Sequence, residues 1–231
     1  GHASAAASSF RWLRNTLCQM EMTTADIAGV DVYDLLTSEA AQSTPGARGT
    51  IFLPWLAGAA CPYYDSYARA TITGMTFAHK KGDLVRGAME GICYEMRDML
   101  ESLQEAPFKP FEYYRVTGGA ARSSLWNQIQ ADIYGKPVET VKVSEATALG
   151  AAMLAAMGAG IYNDIYETID NMVHVDHRWE PIATNVPVYN ELFGIFRETY
   201  QCLKEKVFPA ISRFQGIVEK ATEEKSKAAV A

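Results

Sequence analysis

The stretch that most constrains this chain is Val116-Thr117-Gly118-Gly119-Ala120-Ala121-Arg122-Ser123-Ser124-Leu125-Trp126-Asn127-Gln128. A run of β-formers, Tyr113 to Thr117, stops at two glycines, and a polar link leads into an amphipathic helix marked by Leu125, Ile129 and Ile133. A strand-to-helix turn of this kind lets a ligand approach bare backbone, because glycine has no Cβ to hold it off. The amides of the following helix N-terminus favour a polar or anionic group. Alone the signal is weak, since most Gly-Gly pairs mark only a turn.

Around this turn the chain reads as alternating elements. Phe10 to Met20 is the first helix, and Ile27 to Ser43 a further short helical region ended by Pro45-Gly46. Thr50 to Trp55 and Ala70 to Phe77 are rich in β-formers and flank a turn-prone connection. Val85, Met89, Ile92, Met96, Met99 and Leu103 recur at steps of four and three, the stripe of a long helix bounded by Pro107. The opposite face carries Glu90, Arg97 and Glu101 and reads as solvent-facing or routinely paired. Val138 to Val143 is a strand. Ala146 to Met157 is a helix whose small residues permit close packing against a sheet. Helices follow over Ile165 to Met172 and Val188 to Lys206. Strands first, then a strand–helix–strand–helix alternation, indicate an α/β chain with a mixed sheet flanked by helices.

At 231 residues the chain can build one good-sized core. A net charge of -6 argues against a nucleic-acid-binding surface, which needs clustered Lys and Arg. No apolar run approaches the length of a membrane span. The four cysteines form no C-x-x-C pair and fit a reducing, cytoplasmic setting. Gly1-His2 reads as a remnant of expression, so residues 1–8 are a lead-in, 9–212 the domain, and 213–231 a frayed helical or disordered tail.

Four segments, read together, resemble the carboxy-terminal half of the FGGY carbohydrate kinases. They are Phe52-Leu53-Pro54-Trp55-Leu56-Ala57-Gly58 running on to Tyr67-Ala68-Arg69; Gly74-Met75-Thr76-Phe77-Ala78-His79 leading to Met89-Glu90-Gly91; the Gly-Gly stretch continued by Gln130-Ala131-Asp132-Ile133-Tyr134-Gly135-Lys136-Pro137-Val138; and Glu145-Ala146-Thr147-Ala148-Leu149-Gly150-Ala151-Ala152. The likeness runs from about Ser9 to about Lys206 in the family's order. It implies the ribonuclease-H-like fold of the actin/sugar-kinase/Hsp70 superfamily, and a kinase that uses ATP and Mg²⁺ to phosphorylate a sugar. D-xylulose leads among the substrates; glycerol and gluconate stay open, since Pro62 to Arg69 is also close to the glycerol-kinase form. A homodimer is an open alternative to a monomer.

The resemblance assigns this half the adenosine side of the nucleotide cradle. Gly118, Gly119 and Ala120 would let the nucleotide lie against backbone, Ser123 would offer a hydroxyl near adenine or ribose, and Arg11 belongs to a second stretch passing close to the nucleotide. No G-x-x-x-x-G-K-[ST] loop is present, so a Walker-type site is excluded. In the family, the D-x-G-[ST] phosphate turn, the catalytic aspartate and most of the sugar contacts belong to a first domain. Asp31, followed by Val32-Tyr33, is no substitute for that turn, and no catalytic or metal-binding residue is assigned here. A catalytically silent binding module with the same fold would show the same lack.

Other candidates reduce to structure. Asp65 reads as a turn cap, Asp132 as a partly buried pairing partner, and His79 as a cap or core contact. Trp55, Trp126 and the Met stripe read as packing. His174 and His177 have a spacing that suits a metal, but lack a ligand set beyond Asp176 and read as a surface loop. Two departures from the family stand out. Gly58-Ala59-Ala60-Cys61-Pro62 replaces a G-E-R-x-P pattern. Gly87 replaces Ala or Ser inside the long helix, at an expected cost of about 1 kcal/mol.

Overall fold

The computed structural model describes residues 6–104 and 110–217. Helix α1 (Ala6–Leu17) buries Phe10 and Leu13, and Ser9 Oγ ties it to the Pro54 carbonyl at 2.6 Å. The expected second helical region is two helices, α2 (Gln19–Ala28) and α3 (Val32–Ala41), and α2 takes in the end of the expected first helix. Gly29 at φ 67° stops α2, and Asp31 starts α3 by accepting from the Tyr33 amide at 2.9 Å. Strands β1 (Ile51–Leu53) and β2 (Thr71–Thr73) pair antiparallel as a separate ribbon.

Helix α4 (Lys81–Gln104) carries the core. Val85, Met89, Ile92 and Met99 are buried as the stripe predicts, while Met96 and Leu103 are half-buried. From Val85 to Glu95 every residue is buried, so this part of the helix is enclosed on all sides. The charged face is therefore a correction. Glu90 is 0% exposed. Its Oε1 accepts from Arg86 Nε (2.8 Å), Tyr189 Oη (2.8 Å) and the Gly46 amide (3.0 Å). A charge is buried only when it is paired, and the partner one turn earlier supplies that condition. Arg97 and Glu101 do pair routinely, at 2.9 Å.

Strands β3 (Tyr114–Val116), β4 (Val138–Val141) and β5 (Val175–Trp179) make a mixed sheet in that order, β3 parallel and β5 antiparallel to β4. Arg115, Glu139 and Arg178 lie directly opposite one another across the three strands. Glu139 accepts from Arg115 at 3.0 Å and from Arg178 at 2.8 Å, an ion ladder that favours this register. Helix α5 (Ser124–Tyr134) packs on β4 and β5, ending at Gly135 in the left-handed region. His177 stands in β5 rather than in a loop, because this exposed edge strand lacks the apolar alternation that marks strands in sequence. Helix α6 (Ala146–Gly158) is a second correction. It packs on α7 (Ile165–Met172) instead of on a sheet, and Leu154 is 68% exposed.

Helix α8 (Val186–Lys204) buries Tyr189, Phe193, Phe196 and Tyr200, and Trp55 meets the last two rings at 5.7 and 5.0 Å. Asp65 caps its turn through the Tyr67 amide at 2.8 Å and accepts from Tyr200 Oη. Asp132 is buried, not partly but fully, and accepts from Gln128, the Ile182 amide and Asn185. His79 Nδ1 accepts from the Thr76 amide just before α4. Residues 207–217 are helical; the tail beyond 217, the lead-in before 6 and Pro107 lie outside the described residues.

Two predictions test this packing. A Cβ on Gly91 would lie 2.1 Å from the Phe52 carbonyl oxygen, and one on Gly87 would meet Thr50 Cγ2 at 2.8 Å. Close approach, not a lapse in helix propensity, thus explains Gly87. Gly91→Ala should cost about 1–3 kcal/mol in urea denaturation, whereas Gly150→Ala in α6, where a Cβ meets nothing within 4 Å, should gain up to about 1 kcal/mol.

The second concerns Glu95, which accepts from Trp55 Nε1 at 3.1 Å while its other oxygen has no partner. Burial, helped by nearby Asp98 and opposed by the Trp55 bond, pushes its carboxyl from 4.5 to about 7. A raised carboxyl stabilises the fold when protonated, so that contribution is complete below pH 4.5 and is lost as pH rises through about 7. Glu95→Gln should match the parent at pH 4 and exceed it above pH 7 by up to about 3 kcal/mol. Equal stability of the two across that range would refute the assignment.

Candidate functional site

Three elements converge on a cavity of ≈ 620 Å³. Phe10 and Arg11 come from α1, Asp31, Tyr33, Asp34 and Thr37 from the start of α3, and Gly119, Ala120 and Arg122 to Trp126 from the glycine turn and the first turn of α5. Sequence separations of about a hundred residues are closed by aromatic packing. Phe10 meets Trp126 edge-on at 4.8 Å and stacks on Tyr33 at 5.9 Å. Trp126 Nε1 reaches Cys93 Sγ of α4 at 3.2 Å, which fixes the ring against the core. Arg14 sits over the Tyr33 ring and donates to its hydroxyl at 3.0 Å.

The glycine turn takes a form that only its sequence permits. Gly118 has φ 87° and ψ -170°, a conformation closed to residues with a Cβ. The chain then makes a 3₁₀ turn, Gly119–Arg122, before α5 begins. A Cβ on Gly119 would meet no protein atom within 4 Å, so the backbone there is bare on its open side.

Of the residues singled out in sequence, Gly119, Ala120, Ser123 and Arg11 line this one cavity. Gly118 faces a second, smaller cavity on the far side of the turn. The Ser123 hydroxyl accepts from the Trp126 amide at 3.2 Å and lies 3.5 Å from Thr37 Oγ1. Its oxygen caps α5, which leaves the hydroxyl proton for Thr37 or a ligand. The Arg11 side chain has no ion pair or hydrogen bond among the described residues.

Sequence reasoning missed Asp31, Tyr33, Asp34 and Thr37 as wall residues. Asp31 was weighed only as a phosphate turn; its signal was that of a helix N-cap with a second carboxylate three positions on, which places both acids at one helix end. The wall therefore offers aromatic faces, two carboxylates that accept hydrogen bonds, the hydroxyls of Tyr33, Thr37, Ser123 and Ser124, and the guanidinium of Arg11 together with that of Arg122. Flat apolar surface beside acceptors and donors suits a nucleoside better than a purely anionic group. Among the described residues no three of His, Cys, Asp and Glu gather to hold a metal ion. No described helix is long and apolar enough to cross a membrane.

Comparison with known proteins gives this geometry a family. Residues 1–159 match the FGGY family of carbohydrate kinases, C-terminal domain. The chain is 32% identical over 205 residues to a gluconokinase of Bacillus licheniformis, covering 89% of this chain and 40% of the relative. It is 34% identical over 220 residues to a glycerol kinase of Pseudothermotoga lettingae, covering 95% of this chain and 39% of the relative. The solved structure of ligand-bound xylulose kinase from Lactobacillus acidophilus superposes with a TM-score of 0.76 at 27% identity, over 88% of this chain and 39% of that one. The chain thus spans about two fifths of the length of these relatives. The fold is that of the sugar kinases, within the actin/sugar-kinase/Hsp70 superfamily, and the chain belongs to the FGGY carbohydrate kinase family, in the part that forms its C-terminal domain.

Proposed function

We propose that this chain is the nucleotide-binding half of a cytoplasmic kinase that moves the γ-phosphoryl group of ATP to a hydroxyl of a sugar. The observation that carries the reading is the convergence of Arg11, Gly119, Ala120 and Ser123, chosen from sequence, on one cavity beside an aromatic wall. Adenosine fits that donor set. The bare backbone at Gly119 admits close approach, Phe10, Tyr33 and Trp126 supply the aromatic wall, and Asp31 and Asp34 can accept from ribose hydroxyls or an exocyclic amine. Mg²⁺, when bound with the nucleotide, would neutralise charge on the phosphates. Among the described residues no carboxylate cluster fits a metal cage, so the ion would be held by phosphates and by residues of the further length its relatives possess.

The division of labour follows. This half binds and orients the nucleotide and shields it from water; the base for the sugar hydroxyl and the grip on the phosphates belong to the further length its relatives possess. D-xylulose stands first among substrates on the pattern of motifs, with glycerol and gluconate as rivals from the same family.

Calorimetric titration with ADP and Mg²⁺ should give saturable binding that Gly119→Val weakens at least about tenfold. The valine has room in the protein and would occupy ligand space, so a folded variant is expected. Normal binding by that variant, or none by the parent at millimolar nucleotide, would refute the cradle. The chain by itself should show no sugar-dependent ATP turnover. In the full-length enzyme, preference for glycerol or gluconate over D-xylulose would displace the latter.

A further inference from the structure

One wall of the ≈ 620 Å³ cavity is a single face of α3. Asp31, Asp34 and Thr37 recur every three residues at the start of that helix, a spacing that keeps side chains on one side, and all three line the cavity. They differ in what they have left for a ligand. Asp31 caps the helix, and its Oδ1 is taken by the Tyr33 amide at 2.9 Å. The Thr37 hydroxyl lies 3.5 Å from that of Ser123, the cap of α5. Asp34, between them, has no ion pair or side-chain hydrogen bond among the described residues. It is exposed, so whatever enters the cavity can reach both of its oxygens.

Which part of a nucleotide meets Asp34 follows by exclusion. Phosphates do not, because they carry the same sign of charge as Asp31 and Asp34. Two of the α3 amides that would attract them are also already used, Tyr33 by the Asp31 carboxylate and Asp34 by the Asp31 carbonyl at 3.0 Å. The guanidiniums of Arg11 and Arg122, on α1 and the glycine turn, are the cations of this cavity and draw the phosphates instead. The base takes the aromatic wall of Phe10, Tyr33 and Trp126. Its edge meets Ser123, whose oxygen accepts from the Trp126 amide and whose proton is left for a ring nitrogen. The ribose remains. Its 2′ and 3′ hydroxyls are adjacent donors and a carboxylate is a pair of adjacent acceptors, the chemistry by which an acidic residue reads ribose in dinucleotide-binding folds. Asp34 stands about 4.5 Å along the helix axis from Thr37, so a base edge at Thr37 and Ser123 brings its sugar to Asp34.

We infer that Asp34 is the residue by which this site selects ribonucleotides, its carboxylate accepting from the 2′ and 3′ hydroxyls of the bound nucleotide. The inference rests on the nucleotide reading of this cavity and goes one step beyond it, to the kind of sugar the nucleotide carries. Asp31, with one oxygen spent on the cap, holds the helix end. A purely structural or electrostatic role for Asp34 acts on every nucleotide alike. Contact with the diol acts only on ligands that possess it.

The test is calorimetry on the whole chain with ADP, 2′-deoxy-ADP, 3′-deoxy-ADP and inosine diphosphate, each with Mg²⁺, for the parent and for Asp34→Ala. In the parent, each deoxynucleotide should bind at least about fivefold more weakly than ADP. In Asp34→Ala, ADP and its deoxy forms should bind alike to within about twofold. Asp34 is exposed in the first turn of α3, so a folded variant is expected. Removing a carboxylate also eases repulsion of the phosphates, but every ligand carries the same diphosphate and the ratios cancel that effect. Asp34→Asn, which keeps one acceptor, should retain part of the discrimination. Equal binding of ADP and the deoxy forms by the parent, or discrimination that survives in Asp34→Ala, would overturn the assignment and leave the nucleotide cavity standing. Discrimination against inosine diphosphate that Asp34→Ala abolishes, with the deoxy ratios unchanged, would overturn it by giving Asp34 the exocyclic amine of the base. Failure of the parent to bind ADP at all would overturn the cavity reading itself, so the two failures are told apart.

Discussion

The approach of α4 to β1 is the constraint on which the rest of this structure depends. Gly87 and Gly91 lie on the helix face that meets Thr50 and Phe52, and no side chain of any size fits between. With the backbones in contact, Val85 to Glu95 become buried all round, and neighbouring elements have one helix to pack on. Helices α1, α3 and α5, which supply the walls of the ≈ 620 Å³ cavity, all rest on α4. The cavity is thus a gap left between three helices with a common support, so its shape depends on residues far from its lining.

Burial on this scale brings charge inside, and the chain manages it unevenly. Glu90 gathers three donors on one oxygen, among them Arg86 and Tyr189, and so links α4 to α8 and to the bend at Gly46. Asp98 is met by Arg197 at 2.7 Å and by the Tyr63 hydroxyl. Glu95 has only the Trp55 indole, and burial pushes its carboxyl up to about 7; burial raises the carboxyl of Glu90 as well, against the pull of Arg86. Replacing well-packed apolar residues by ion pairs gains little stability. Removing one partner leaves a buried charge unmatched. On that argument these pairs fix how α8 docks on α4 more than how tightly it does so.

The sequence made the elements legible where one periodicity ruled, and failed where a long-range contact did. The stripe of α4, the Gly-Gly turn and α5 follow from local pattern, since spacing and glycine placement leave few alternatives. Glu90 was misread because its burial requires Tyr189, about a hundred residues on, which no local pattern reveals. Strand β5 was missed because an edge strand held by cross-strand ion pairs needs no apolar alternation. Helix α6 was expected on a sheet from its small residues; they permit close packing but do not choose the partner. At the site, family likeness supplied the glycine turn, Ser123 and Arg11. The α3 residues opposite them could be found only from the fold, since nothing local ties an N-cap aspartate to a turn about ninety residues away.

The two cavities differ in chemistry because the turn between them has two unlike faces. On one side the backbone at Gly119 is bare and the surroundings are aromatic with carboxylates at the rim. On the other stand the strand ends, Lys142 and Asp176. Aromatic faces beside hydrogen-bond acceptors mark the first environment, and polar strand ends the second. Gly118 is the joint, since its positive φ turns the chain between the two faces. Any residue with a Cβ would strain that conformation. The two glycines thus divide the work: Gly119 leaves the backbone bare toward one cavity, and Gly118 turns the chain toward the other.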